Sequence, residues 1–240
     1  MNSDSVVSVN GLSKSYGRLQ AVDDLSFTVR RGEVFGILGP NGSGKTTTLE
    51  CCLGTRRRDS GHVLLLDSDP ITDRRRLFAR VGVQFQDSAW QPAIRVGELC
   101  ESTACLYDPV PDWRRLLADF DLEKRLKTPV ESLSGGERQK LSILLACMHD
   151  PELVFLDELT TGLDPIARRE TWRFVERLRD HGATVVLTSH FMDEVERLCD
   201  RGMVIRDGRK IAYGTIEELR NQGGGRSLED AYIQLVGGVA

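Results

Sequence analysis

The spacing of apolar positions changes several times along this chain, and each change predicts an element. Val22, Leu25, Phe27 and Val29 give a mostly alternating pattern that ends at Arg31-Gly32, as a strand followed by a turn would. Glu33 to Leu38 read as a short apolar strand running into a glycine-rich loop. From Thr46 the spacing becomes helical, with Leu49, Cys52 and Leu53 on one face, and Val63 to Leu66 and Val81 to Phe85 read as further strands. From about Ser88 to Met148 the helical period dominates. It is clear in Trp113-Arg114-Arg115-Leu116-Leu117 and in Leu141, Leu144, Leu145 and Met148, with a polar connector from Asp121 to Glu131 between them. This stretch is expected to be a mostly helical insertion.

The alternation of strand and helix then resumes. Val154 to Leu156 and Thr184 to Leu187 are short apolar runs expected as buried strands. Between them, Ile166 to His181 forms a helix with Trp172, Val175 and Leu178 on one face and Gly182 as its stop. Phe191 to Cys199 is again helical. Met203-Val204-Ile205 and Ile211-Ala212-Tyr213 flank an Asp207-Gly208 pair, which predicts a hairpin turn. Asn221 to Gly225 reads as a linker, and Leu228 to Leu235 as a short amphipathic tail.

Three clusters carry chemistry. Gly39-Pro40-Asn41-Gly42-Ser43-Gly44-Lys45-Thr46 is a complete phosphate loop between a strand and a helix, the context such a loop requires. Its glycines let backbone N–H groups approach phosphate oxygens, and the helix that follows, from Thr46 and Thr47, presents its positive end to them. Lys45 supplies a point charge for the outer phosphates, and Thr46 a hydroxyl for Mg²⁺. Asp157 ends an apolar strand, where a carboxylate can hold Mg²⁺, and Glu158 follows it. Leu133-Ser134-Gly135-Gly136-Glu137 opens a helix whose exposed N–H groups form a second anion site. Upstream, Tyr16 is either a surface tyrosine or an aromatic face for adenine.

A phosphate loop, then LSGGE, then an acidic strand end resemble the ATP-binding cassette family, with similarity from about Val6 to Gly214. The resemblance implies an α/β P-loop NTPase core with a mixed or parallel sheet, an N-terminal antiparallel β subdomain and an inserted α-helical subdomain. Residues 1–87 and 150–220 would form the nucleotide-binding core, 88–149 the helical subdomain, and 221–240 a linker and tail. ATP and Mg²⁺ are the expected ligands, with Thr46, Gln86 and Asp157 toward the metal. The resemblance implies that Glu158 is the general base for water and His190 a switch histidine at the γ-phosphate. It also makes Gln86 the glutamine that couples the insertion to nucleotide state. Gln84 competes for that role, and Gln86 is preferred because it lies at the boundary of the insertion. Ser134, Gly135, Gly136 and Glu137 would cover the nucleotide held by a second, likewise incomplete copy, and Asp164 would contact that opposing subunit. Two departures from the family pattern, Leu159 and Arg58 where prolines are common, remove no ligand.

Composition narrows the setting. The net charge of −4 argues against nucleic-acid binding, and no apolar run approaches the roughly 20 residues of a membrane span. Arg56-Arg57-Arg58 and Arg74-Arg75-Arg76 read as solvated runs or as contacts for anionic headgroups or a membrane partner. The six cysteines form no C-x-x-C pair, which fits a reducing compartment. The expectation is an ATPase subunit on the inner face of the cell membrane, paired with a second cassette and an integral membrane permease. Weaker similarities at Ser189 to Glu196, Ile211 to Thr215 and Ser227 to Tyr232 point to the drug and antibiotic exporter branch. The alternatives are an importer ATPase, or a non-transport cassette acting on ribosomes or DNA.

Overall fold

The computed structural model describes residues 4–86, 90–225 and 227–237. In chain order its strands and helices are β1 (Ser5–Tyr16), β2 (Leu19–Arg30), β3 (Val34–Leu38), α1 (Lys45–Cys52), β4 (Ser60–Leu65), α2 (Arg74–Leu77), β5 (Val81–Gln84), α3 (Val96–Ala104), α4 (Trp113–Asp119), α5 (Gly135–Cys147), β6 (Leu153–Asp157), α6 (Pro165–Asp180), β7 (Thr184–Ser189), α7 (Met192–Leu198), β8 (Arg201–Arg206), β9 (Arg209–Thr215), α8 (Ile216–Gln222) and α9 (Leu228–Gly237).

Two sheets form. One is three-stranded and antiparallel, in the order β2-β1-β4. The other runs β5-β6-β7-β3-β8-β9, parallel from β5 through β8 and closed by the antiparallel β8–β9 hairpin. Every residue of β3, β6 and β7 is buried, the pattern of parallel strands covered on both faces.

Alternation along these strands divides the core. Val34, Leu38, Val154, Leu156, Val185 and Leu187 face a cluster built with α3 to α9. Phe35, Ile37, Leu153, Phe155 and Val186 face the other way, into a cluster shared with α1 and the antiparallel sheet. A one-residue slip in any of these strands would exchange the two clusters, so apolar packing fixes the register. That register sets Asp157 opposite Thr188 and Leu38 opposite Ser189, which aligns the strand ends that carry the predicted chemistry.

Within the stretch from about Ser88 to Met148 expected to be mostly helical, the described residues form α3, α4 and α5, joined by turns and short irregular segments. Residues 87–89, where the insertion was expected to begin, lie outside the described residues. The Asp207-Gly208 turn forms with both residues at positive φ. Asn221 to Gly225 is not wholly a linker, because Asn221 and Gln222 end α8. A Thr215-to-Glu218 capping box starts that helix: the Glu218 N–H donates to the Thr215 hydroxyl and the Thr215 N–H to the Glu218 carboxylate. β1 is a further strand that its many Ser, Lys and Gly residues obscure, and its pairing with β2 is interrupted by register shifts.

Candidate functional site

The loop between β3 and α1 is shaped by chain from elsewhere. Gly44 sits at φ 103°, where only glycine is comfortable, and an added Cβ would collide with the Ala21 carbonyl of β2. At Gly39 a Cβ would strike the Ile205 carbonyl and the Ser43 side chain. The tip of the β8–β9 hairpin also reaches the loop, where the Gly208 N–H donates to the Ser43 carbonyl at 3.1 Å. The result is a backbone cradle for phosphate at the start of a helix. The Lys45 ammonium is almost fully buried and donates to the carbonyls of Gly39 at 3.0 Å and Pro40 at 3.2 Å.

The acidic end of β6 stands opposite. Asp157 is buried, and its Oδ1 accepts from the Thr188 hydroxyl at 2.5 Å and the Thr46 hydroxyl at 3.4 Å. Its Oδ2 is buried and has no hydrogen-bond partner among the described residues. Glu158 has φ 49°, a left-handed conformation that costs a non-glycine residue on the order of 1 kcal/mol. Its N–H is held by the Thr188 oxygen at 2.9 Å. Its carboxylate lies 3.9 Å from the Lys45 ammonium and 3.8 Å from His190 Nδ1, and accepts from Thr161 at 3.2 Å. Burial raises the Asp157 pKa and lowers the Lys45 pKa, so both charges are held at a cost that a bound cation and phosphate would offset.

A cleft of about 400 Å³ runs from Tyr16 and Leu19 across Asn41, Gly42, Gly44, Lys45, Thr46 and Thr47 to Gln86 and Glu158. Gln86 is exposed and lines this cleft, whereas Gln84 is buried and donates to the Phe85 carbonyl at 2.7 Å. Tyr16 is half-exposed, with Lys14 and Arg56 each within 6 Å of its ring. The bidentate Glu50–Arg56 pair helps to fix that arrangement.

Comparisons with known proteins bear on this geometry. A family described as "ABC transporter" matches residues 22–161, more than half the chain. The chain belongs to the ABC transporter family. It is 42% identical to "Nod factor export ATP-binding protein I" of Ralstonia nicotianae over 224 residues, 91% of this chain and 70% of that protein. The protein of the same description from Sinorhizobium fredii is 40% identical over 240 residues, 96% of this chain and 68% of that one. Among solved structures, one described as the ATP-binding subunit of an ABC transporter has a TM-score of 0.88 at 28% identity, covering 96% of this chain and 99% of its own. The fold is thus that of an ABC ATPase, and this chain is the ATP-binding, ATP-hydrolysing subunit of a transporter. No helix among the described residues is long and apolar enough to cross a membrane.

ABC ATPases bind ATP, generally with Mg²⁺, and the residues here fit both. The orphaned Asp157 Oδ2 beside the Thr46 hydroxyl suits a hard cation. At Gly39 and Gly44 the crowding admits nothing larger than hydrogen on Cα, which fits a loop whose backbone, not its side chains, would meet the phosphates.

Ser134, Gly135, Gly136 and Glu137 are not among the residues that line this cleft. They form the start of α5, exposed at Ser134 and Gly135 and partly buried at Gly136 and Glu137, and capped by Ser134, whose hydroxyl accepts from the Glu137 N–H, while Glu137 accepts from the Ser134 N–H and from Arg125. Gly135 has open space where a Cβ would be. Asp164 caps α6 through the N–H groups of Ile166 at 2.8 Å and Ala167 at 3.1 Å, a role within its own chain.

Thr188 and Leu19 are the residues that spacing alone missed. Thr188 looks like one more β-branched strand residue, and only the pairing of β6 with β7 puts its hydroxyl between Asp157 and the Glu158 N–H. Leu19 had a legible signal in its position three residues after Tyr16, and it is exposed at the mouth of the cleft.

Proposed function

We propose that this subunit drives a separately encoded membrane permease in export, working as one of two cassettes that each hold an ATP. The observation that supports this reading most is the separation of the two anion sites. The Lys45 loop and Glu158 line one cleft, with Asp157 bonded to Thr46 and His190 3.8 Å from the Glu158 carboxylate beside it, while the Ser134-to-Gly136 helix start lies outside it with Ser134 and Gly135 exposed. Each copy then holds ATP on its own loop and caps its partner's with α5, and the copies pair head to tail.

The close approach of Lys45 and His190 to Glu158 supports the following roles. Asn41, Gly42, Gly44 and Thr47 N–H groups with Lys45 bind the phosphates, and Tyr16 stacks on the base. Thr46, Asp157 and Gln86 would hold Mg²⁺, which would supply positive charge to the phosphoryl oxygens. Glu158 accepts the proton of the attacking water as the γ-phosphoryl bond breaks, giving ADP and phosphate. His190, 3.8 Å from the Glu158 carboxylate, orients that carboxylate and contacts the γ-phosphate.

Two clefts beside the helical insertion suit a permease segment, which fits the division into a core and an inserted helical subdomain. One, of about 460 Å³, is lined by Phe85, Trp90 and Leu145 among others. The other, of about 680 Å³, includes Tyr107, Val110 and His149, with Leu106 and Val110 strongly exposed. Export, and a hydrophobic cargo such as a drug or antibiotic, rest on the exporter-branch similarities and on relatives described by an export role.

Glu158→Gln tests the core of the proposal. It should retain ATP binding, lower turnover by about 10²–10⁴-fold, and give an ATP-dependent dimer in sedimentation, read with the permease present if the cassettes pair weakly alone. Wild-type turnover in this variant would remove Glu158 as the base. Co-purification with a multi-span membrane protein supports the transporter assignment, and with ribosomes opposes it.

A further inference from the structure

Glu194 is fully buried, lies outside the nucleotide cleft and forms no ion pair among the described residues. Its oxygens are nonetheless committed. Oε1 accepts from the Trp172 indole N–H of α6 at 3.1 Å, and Oε2 accepts from the Ser189 hydroxyl at 2.6 Å. The same Ser189 oxygen accepts from the Phe191 N–H at 3.0 Å. Ser189 and Phe191 flank His190, so one hydroxyl ties the backbone on both sides of the histidine to a buried carboxylate. The Phe191 ring packs on the His190 ring with centroids 4.1 Å apart, and the Arg168 guanidinium lies 4.4 Å from the Phe191 centroid.

A buried carboxylate is an unusual way to close a turn, because desolvation opposes its charge. Burial raises the pKa of Glu194, and the Ser189 donor pulls it back toward the charged form. A carboxylate offers what an amide or a hydroxyl would not: two acceptors and no competing donor, so that Ser189 must donate to it and keep a lone pair for Phe191. We infer that Glu194 is a positioning residue for His190, acting through the Ser189 hydroxyl. This rests on the reading of His190 as a residue of the hydrolytic site. Glu194 also joins α6, which follows the loop after Glu158, to the end of β7, so both flanks of the water-activating pair share one anchor.

Glu194→Gln is the direct test, because it keeps the shape and replaces one acceptor by a donor. We expect kcat to fall about tenfold, with the KM for ATP changed by less than about twofold and nucleotide affinity intact. Ser189→Ala should reproduce that loss while leaving the carboxylate in place. On a His190→Ala background, Glu194→Gln should lower turnover by less than about twofold further. A second tenfold loss there would mean that Glu194 does not act through His190, and unchanged kcat in the single variant would overturn the proposal outright. Full turnover in His190→Ala would remove His190 from the reaction and the proposal with it. An inactive His190→Ala beside a fully active Glu194→Gln would remove only the role of Glu194. Where the His190→Ala rate is too low to divide further, side-chain NMR of the four histidines supplies the readout. Glu194→Gln should shift or broaden the His190 signals and leave those of His62 and His181 in place, and an unmoved His190 signal counts against it.

Discussion

Gly44 and Gly135 both stand at helix starts proposed to face an anion, but their surroundings differ. A Cβ at Gly44 would meet the Ala21 carbonyl, and its φ of 103° excludes other residues in any case. A Cβ at Gly135 would meet nothing within 4 Å. The chain's own packing therefore demands the first glycine and makes no demand for the second. The phosphate loop is a finished half whose sequence can be explained from within. The α5 start is internally capped; Ala167 crowds Gly136, but nothing in the chain accounts for the exposed Gly135, as expected of a position shaped by something that arrives from outside.

The largest expected effect separates the two directly. Gly44→Ala should cost about 2–5 kcal/mol, from left-handed strain and overpacking together, and abolish nucleotide binding, as read by thermal unfolding and nucleotide titration. Gly135→Ala should leave stability unchanged or raise it by up to about 1 kcal/mol, since alanine favours a helix. Its ATPase turnover should still fall at least about tenfold. If Gly135→Ala turned over ATP at the wild-type rate, the contrast would disappear.

Thr188→Val sharpens the finished half. It removes the hydroxyl shared by Asp157 and the Glu158 N–H and leaves both buried groups short of a partner. The expected cost is about 1–3 kcal/mol in denaturant unfolding, with a turnover loss larger than the change in ATP affinity. A variant of wild-type kcat would show that Glu158 keeps its strained backbone without help.

The smallest effect lies far from both sites. Hydrogen bonding to Arg80, supported by Arg31, lowers the Glu152 pKa from its usual 4.5 to about 2. A lowered carboxylate pKa stabilises the fold above the unfolded value, and that contribution is lost as pH falls from about 4.5 toward 2. Glu152→Gln should therefore be less stable than wild type near neutrality and converge with it at the acid end. Both partners are partly exposed, so the difference should not exceed about 1 kcal/mol. An equal gap at all pH values would assign the effect to packing.

What was legible in the sequence follows the same division. Elements with a strong period or a buried run were readable, because β3, β6 and β7 are covered on both faces and α6 carries one apolar stripe. β1 was not, because bulges break its alternation. α8 could have been read from Thr215 and Glu218 at capping-box spacing. In the site, residues joined along the chain were visible as motifs. Thr188 was not, since its partner Asp157 lies 31 residues away, nor was Glu194, whose burial and second hydrogen bond come from packing against Trp172, 22 residues away.

The bond from the Gly208 N–H to the Ser43 carbonyl, and the press of Ala21 on Gly44, carry a lesson for anyone who trims this chain. A fragment ending before the last hairpin would spell out the whole glycine run yet lack the brace that bends it. The letters would survive the cut, and the shape that grips a nucleotide would not.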